Sequence, residues 1–358
     1  MKRFLALALT ALLFCACGAE AQISELAFAK VIGIDRADDG LTVCAVVMLP
    51  HKGEDQHCKV ISASCDSLAE GLALLDAQSP DTVFFGHVSA VLFGEDMARG
   101  GILEAIDCMV RSPYFRFDLP LIAVKDRTAE DVLRAGCEQT PPLGEAIERL
   151  FHGDEQISHS GAVRFSQVAD TLENPLQSVF LPYMTLEEGT PALSGLALFQ
   201  DDRLAEFLDQ RLSLGLNFLT DRVKYCVLST EEAVMRVNRS RTRLTLENGV
   251  FRVRVEMQTE VLEASDQIES FDGGEWEKLN IQQSAIVEKM MADTVGHLKD
   301  LSCDAVGFGG CAVRAGDKQT GETWKGVFPL IAVEITVKAA ANPDKTSGDP
   351  MRIEGAGA

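Results

Sequence analysis

The cleanest pattern in the chain is the strict alternation from Val250 to Val261. Phe251, Val253, Val255 and Met257 take one parity, and Arg252, Arg254, Glu256 and Gln258 take the other. A period of two predicts a strand with one wet face. Phe328 to Lys338 (FPLIAVEITVK) repeats the pattern. Between them, Glu275 to Leu301 changes period: Leu279, Ile286, Met290, Val295, Leu298 and Leu301 form the stripe of a long amphipathic helix.

The first half of the chain reads as alternating strands and helices. Ile23 to Lys30 is a short amphipathic segment. Val31 to Asp35 and Leu41 to Leu49 are β-rich, and Asp39-Gly40 between them signals a hairpin turn. The second run is apolar on both faces, as expected of a central strand. Pro50 to Lys59 is polar and reads as a loop. Ser67 and Glu70 form a capping-box pair ahead of a helix with Leu68, Leu72 and Leu75 on one face, which stops at Ser79-Pro80. Val88 to Phe93 is a buried strand. Glu95 to Arg111 has near-helical apolar spacing, acidic residues at its start and Arg111 at its end. Leu119 to Val124 is a strand, and Thr128 caps a helix to about Gly136.

Residues 138 to 192 are less regular and are punctuated by Pro141-Pro142, Pro175, Pro182 and Pro191, which places a domain boundary at 185–192. A hairpin follows, Leu196–Phe199 with Leu204–Phe207, turned at Asp201-Asp202. Asp209 to Leu219 is helical, and residues 339–358 read as a frayed tail. The fold class is α+β, in two to three domains, each a mixed or antiparallel sheet with packed helices. The divisions are a leader at 1–16, domains at 17–190 and 191–340 (the second divisible, which would make three), and a flexible tail at 341–358.

The leader supplies the first candidate chemistry. Lys2 and Arg3 precede an apolar run, Phe4 to Phe14, too short for the ~20 residues that span a bilayer. It fits the h-region of a secretory signal peptide. Phe14-Cys15-Ala16-Cys17-Gly18 resembles a bacterial lipobox, with Cys17 as lipid acceptor and Cys15 as its rival. Phe14 stands where Leu is commoner. The alternative is an ordinary signal peptide cut near Ala19 or Ala21. Stable anchoring takes two or more acyl chains, which a diacylglycerol-type modification or added palmitate meets.

Composition then narrows the partners. The 358 residues carry 33 Lys and Arg against 54 Asp and Glu, a formal charge of −21, and cleavage before Cys17 removes two of the cations. Nucleic acid is excluded as a partner, because phosphate binding needs clustered cations. A polybasic membrane patch is not expected either, so membrane attachment falls to Cys17, and an acidic body should stand off an anionic bilayer. The cysteines after the leader (Cys44, Cys58, Cys65, Cys108, Cys137, Cys226, Cys303 and Cys311) are irregularly spaced, without a CxxC pair. Mostly free, buried thiols are expected rather than a disulfide framework. His51, His57, Cys58 and Cys65 are too loosely spaced for a zinc site.

Catalytic vocabulary is sparse. The chain has no GxSxG elbow, no HExxH and no Walker A. Gly307-Phe308-Gly309-Gly310 reads as a turn, His87 as a core or hydrogen-bonded histidine, and Asp35 as a turn residue bonding nearby backbone. No catalytic residue, metal ligand or cofactor is expected.

Several phrases together carry a resemblance. ISELAFAKVIGIDRADDG at 23–40, the 79–135 block with Phe84-Phe85-Gly86-His87, Gly94-Glu95, Gly101-Ile102 and Arg111 to Arg116, and SGLALFQDDRLAEFLD at 194–209 resemble the Ger(x)C family of spore-germination lipoproteins. So do the long helix with Asp304 to Gly309 and the last strand. The likeness runs from about residue 23 to 338 in the family's order. Gly18-Ala19 departs from the family's frequent Trp-Asp after the lipidated Cys, and the stretch from Gly309 to Trp324 is short. The resemblance implies a non-enzymatic C subunit of a nutrient-germinant receptor in a sporulating Firmicute. Such a subunit is lipid-anchored on the exported side of the spore inner membrane and assembles with membrane A and B subunits. The complex senses a nutrient germinant. A solute-binding lipoprotein of a transport system is the alternative.

Overall fold

The structure, a computed structural model, describes residues 26–49, 57–152, 163–264, 273–317 and 323–341. The leader, Cys17 and the tail beyond residue 341 lie outside the described residues.

A mixed sheet organises the first part. Strand β1 (Leu26–Arg36) turns through Asp39-Gly40 into β2 (Leu41–Leu49), and Gly40 takes φ +93°, which a side chain there would resist. β2 pairs antiparallel with β3 (His57–Cys65) at one edge. On the other side β1 pairs parallel with β4 (Thr82–Phe84) and β5 (Ala90–Phe93), then follow β6 (Leu121–Val124), β7 (Phe180–Glu187), β8 (Thr190–Gln200) and β9 (Arg203–Phe207). The expected boundary at 190 falls at the Glu188-Gly189 hairpin tip, and the sheet continues past it through β9.

Helices cover both faces. α1 (Leu68–Gln78) packs Gly71 so close to Val43 that a methyl there would overlap it. α2 (Glu95–Gly100) and α3 (Leu103–Arg111) bury Met97, Ala98, Ala105, Ile106 and Met109 in the same apolar cluster as Ile32, Ile34, Val91 and Phe93. On the opposite face α4 (Ala129–Cys137) and α5 (Leu143–His152) cover Val31, Cys44, Val46, Leu92 and Ile122. A period of two puts neighbours such as Val31 and Ile32 into different cores, which is why β1 and β2 read as apolar throughout. α6 (Phe165–Leu172) buries Phe165 and Val168.

The second part begins beyond α7 (Gln210–Leu219), capped by Asp209. Its sheet runs β10 (Cys226–Ser229), β11 (Ala233–Glu247), β12 (Val250–Ala264) and β13 (Ala332–Ala341), the last pair parallel. α8 (Gly273–Asp300) closes its β13 edge. Asn280, Ser284 and Glu288 accept from the backbone N–H of Ala341, Ala339 and Val337, at 2.9, 3.1 and 2.8 Å. Four helical residues rise about 6 Å and two strand residues about 6.6 Å, so the repeats keep step. An open strand edge that could template aggregation is thereby satisfied. One apolar cluster runs through both parts, from Ile32 and Phe93 to Phe218, Met235, Val255 and Val287.

Some expectations are corrected. Ile23–Lys30 is not a separate segment, since β1 is continuous from Leu26. β3 begins at His57, inside the loop expected to run to Lys59, and residues 50–56 lie outside the described residues. Glu95–Arg111 is two helices, broken at Gly100-Gly101, with Gly101 at φ +117°. The irregular stretch holds α5, α6 and β7. Strand pairing extends through Ala341 rather than fraying from residue 339.

Candidate functional site

Besides Asp209, three aspartates each hold a helix N-terminus, where unpaired backbone N–H groups and the helix dipole favour an anion. Asp35, at the end of β1, accepts from Ala129 N at 2.6 Å and Glu130 N at 3.0 Å, the first turn of α4. Its bonds thus reach a helix far along the chain rather than the adjacent turn. Gly94 makes room, since a Cβ there would overlap the Asp35 carboxylate. Thr128 and Asp131 complete a capping box on the same helix.

Asp202, in the β8–β9 turn, accepts from Leu103 N at 3.3 Å, and its backbone carbonyl from Ile102 N at 3.0 Å. This starts α3 after the glycine break. Asp304 is 3 % exposed. It accepts from Gly307, Phe308 and Gly309 N–H at 2.8, 3.1 and 2.8 Å and from the Trp324 indole at 3.0 Å. The glycine run therefore opens a helix, α9 (Phe308–Arg314), and is not a simple turn. Its anion niche is filled by the protein's own carboxylate. Burial raises the pKa of both Asp35 and Asp304, against the lowering effect of these hydrogen bonds.

The two parts meet at Asp304. Its carbonyl accepts from Ser178 N at 2.9 Å, ahead of β7. A cavity of about 230 Å³ lies here, lined by residues that include Asn174, Gln177, Asp202, Asp304, Trp324 and Lys325. Lys325, at the start of α10 (Trp324–Val327), pairs with Asp201 across the junction.

Among the described residues the thiols offer no activated nucleophile. Cys58 and Cys137 are bridged, tying β3 to the end of α4. Cys44, Cys65, Cys226, Cys303 and Cys311 are buried and free, and Cys108 is partly buried and free. So the free thiols are mostly buried, as expected, with one bridge that spacing did not disclose. Burial pushes Cys226 up to about 12 and Cys303 up to about 11, so both stay protonated. Among the described residues no three His, Cys, Asp or Glu side chains are grouped as metal ligands. None of the described helices is long and apolar enough to cross a membrane.

Two exposed surfaces stand out. The outer face of the second sheet gathers Arg239, Arg241 and Arg243 on β11, Arg252 and Arg254 on β12, and Lys338 on β13, with Glu256 and Glu334 among them. The fold concentrates cations that the overall charge hides. In the first part, His87 is exposed rather than in the core, and its ring packs against Phe28 and Phe84 at 5.5 Å each. Cys17 lies outside the described residues.

Comparison with known proteins supplies context for these surfaces. A family model described as "Spore germination protein N-terminal domain" matches residues 20–186, and one described as "Spore germination B3/ GerAC like, C-terminal" matches residues 194–342. "Putative spore germination protein YfkR" of Bacillus subtilis (strain 168) is 22% identical over 338 residues, 86% of each chain. "Spore germination protein KC" of the same organism is 21% identical, covering 94% of each chain. "Spore germination protein GerQC" of Bacillus cereus is 19% identical over 63% of this chain and 62% of its own. The crystal structure of the GerBC protein superposes with a TM-score of 0.57 at 15% identity, over 89% of this chain and 99% of that one.

Proposed function

The chain belongs to the Ger(x)C family of spore germination proteins, and from that premise we propose that it is the C subunit of a nutrient-germinant receptor. In this reading it is exported, lipidated on Cys17 and held at the spore inner membrane. There it assembles with membrane A and B subunits and supports the response to a nutrient germinant. It acts through binding surfaces and not as an enzyme. The observation that carries the reading is the ordered pair of family-model matches across residues 20–342. The structure supports it through chemistry: buried Asp35 and Asp304 are committed to helix ends, buried Glu260 is paired with Arg236, and the free thiols of the described residues lie mostly in the core.

The cavity between the two parts favours a second reading, a solute-binding lipoprotein. At about 230 Å³ it is smaller than the ~300–1,000 Å³ of ordinary ligand sites, and we rank this reading second. Deletion of the gene in the spore-forming host tests the first. Spores should lose or slow their response to at least one nutrient, and the wild-type gene but not Cys17→Ala should restore it. Normal germination with every nutrient, in a strain lacking other receptors, would overturn it. Saturable binding of a sugar or amino acid by the purified chain, without membrane subunits, would favour the second.

A further inference from the structure

The first part exposes a group of aromatic rings at the end of its sheet where β1, β4 and β6 begin, a strip set by the parallel strands. Phe84, Tyr114 and Phe117 are 41 %, 48 % and 58 % exposed, unusual for side chains of this size. Phe84 packs edge-on against Phe28, with ring centroids 6.0 Å apart, and beside the exposed His87. Tyr114 lies 5.5 Å from the ring of Phe85, the next residue. Phe117, three residues beyond Tyr114, is stacked flat on the fully buried Phe165. Val110, 45 % exposed, ends α3 just before this turn. Two cations beside it are matched, Arg111 with Asp107 and Arg116 with Asp118, and exposed Arg164 adjoins the buried Phe165. The strip is therefore apolar, held from below by buried rings, and close to neutral within a strongly acidic chain.

Its position in the chain says what it faces. Phe28 lies opposite Phe84, two residues from Leu26 at the start of β1. Eight residues separate Leu26 from Cys17. Even fully extended, they span at most about 30 Å. A compact chain of this length is roughly 50 Å across. A tether shorter than the body turns the end that carries Leu26 toward the anchor.

We propose that the strip of Phe84, Tyr114 and Phe117 rests on the bilayer, with its rings at the headgroup–acyl boundary. This rests on the reading of Cys17 as the membrane tether. Aromatic side chains favour that boundary because a flat apolar ring is removed from water without entering the hydrocarbon centre. The strip's neutrality removes the repulsion that a −21 chain otherwise meets at anionic lipid. The body is docked against the membrane by this face and does not stand off from it. The arginine face of the second sheet then remains free for other contacts.

The test imposes the tether and reads the face. A mature chain with a polyhistidine tag in place of Cys17 is held on vesicles of phosphatidylcholine and a nickel-chelating lipid. Single indoles are added as Phe117→Trp, or as Ile281→Trp on α8, where Ile281 is 62 % exposed. Lipids brominated near the headgroup should quench Phe117→Trp well beyond the background of Trp276 and Trp324, and should leave Ile281→Trp at that background. Without the tag, replacing Phe84, Tyr114 and Phe117 together by Ser should lower partitioning onto the same lipid by about tenfold. Equal quenching at residues 117 and 281, with the protein bound, would overturn the proposal. So would a Phe117→Trp signal that ignores lipid but shifts when the A and B subunits are added, which would give the strip to a protein partner. Because the tag supplies the tether, failure of native Cys17 lipidation shows separately, as an unmodified Cys17 in the mass of the native protein.

Discussion

Asp35 and Asp304 perform the same task in the two halves of the molecule by different routes. Asp304 bonds the N–H groups three to five residues ahead of it and adds the Trp324 indole, so its site is built almost wholly from one short loop. Asp35 bonds Ala129 and Glu130, more than ninety residues away, and joins a central strand to the helix that covers it. The first device organises a local turn; the second fixes a tertiary position. A buried carboxylate is tolerated in both because each of its oxygens accepts at least one hydrogen bond.

The comparison predicts unequal losses. Asp304→Ala strands three N–H groups and an indole N–H in a buried site, and should cost about 3–5 kcal/mol in urea unfolding. Asp35→Ala strands two, and should cost about 2–3 kcal/mol with β1 still paired to β2. Equal losses would mean that the tertiary link at Asp35 matters as much as the donor count. Removing the bridge with Cys58→Ala, which opens a sequence separation of 79 residues, should cost about 2–4 kcal/mol, and reductant should reproduce it. Thr128→Ala, which strips only the exposed part of the α4 cap, should cost about 1 kcal/mol.

pH sharpens the same contrast. Both carboxyls have folded pKa values raised above the ordinary 3.8 by burial. In the window from 3.8 up to the raised value the folded state binds more protons than the unfolded one, so their contribution to stability falls as pH rises. Asp304→Asn should flatten that slope, measured as the urea midpoint against pH, and so should Asp35→Asn. If neither variant changes the slope, burial does not govern these groups.

Legibility in the sequence follows the same divide between local and remote. Local devices were readable: the Asp39-Gly40 turn, the Ser67 and Thr128 caps, the Asp201-Asp202 hairpin and the stripe of α8 all correspond to observed elements. In the first cap, Glu70 reaches Asp66 N, one residue short of the expected Ser67. Remote devices were not readable. The start of β3 reads as loop because His57 and Lys59 lend an edge strand the polarity of one. β11 was missed although Asn248-Gly249, with φ of +53° and +78°, marks its hairpin to β12. Its inner face carries the polar Ser240 and Thr242; the Thr242 hydroxyl donates to Phe218 O at 2.6 Å and its backbone N–H to Asp221 at 2.7 Å. α5 is legible in the spacing of Leu143, Ile147 and Phe151 after the prolines, although the proline density makes 138–192 read as less regular. The split of Glu95–Arg111 falls at the Gly100-Gly101 pair, a local breaker, and only the Asp202 contact that starts α3 is remote. Nothing in the spacing of the cysteines joined Cys58 to Cys137.

The proposed function makes this chain one subunit of a membrane receptor. The most direct measurement is affinity purification of the tagged chain, in mild detergent, from the inner membranes of dormant spores, with its companions identified by mass spectrometry. The account predicts that the A and B membrane subunits co-purify with the wild-type chain and are lost with Cys17→Ala. A wild-type chain that purifies alone, or with a transport permease, would contradict it.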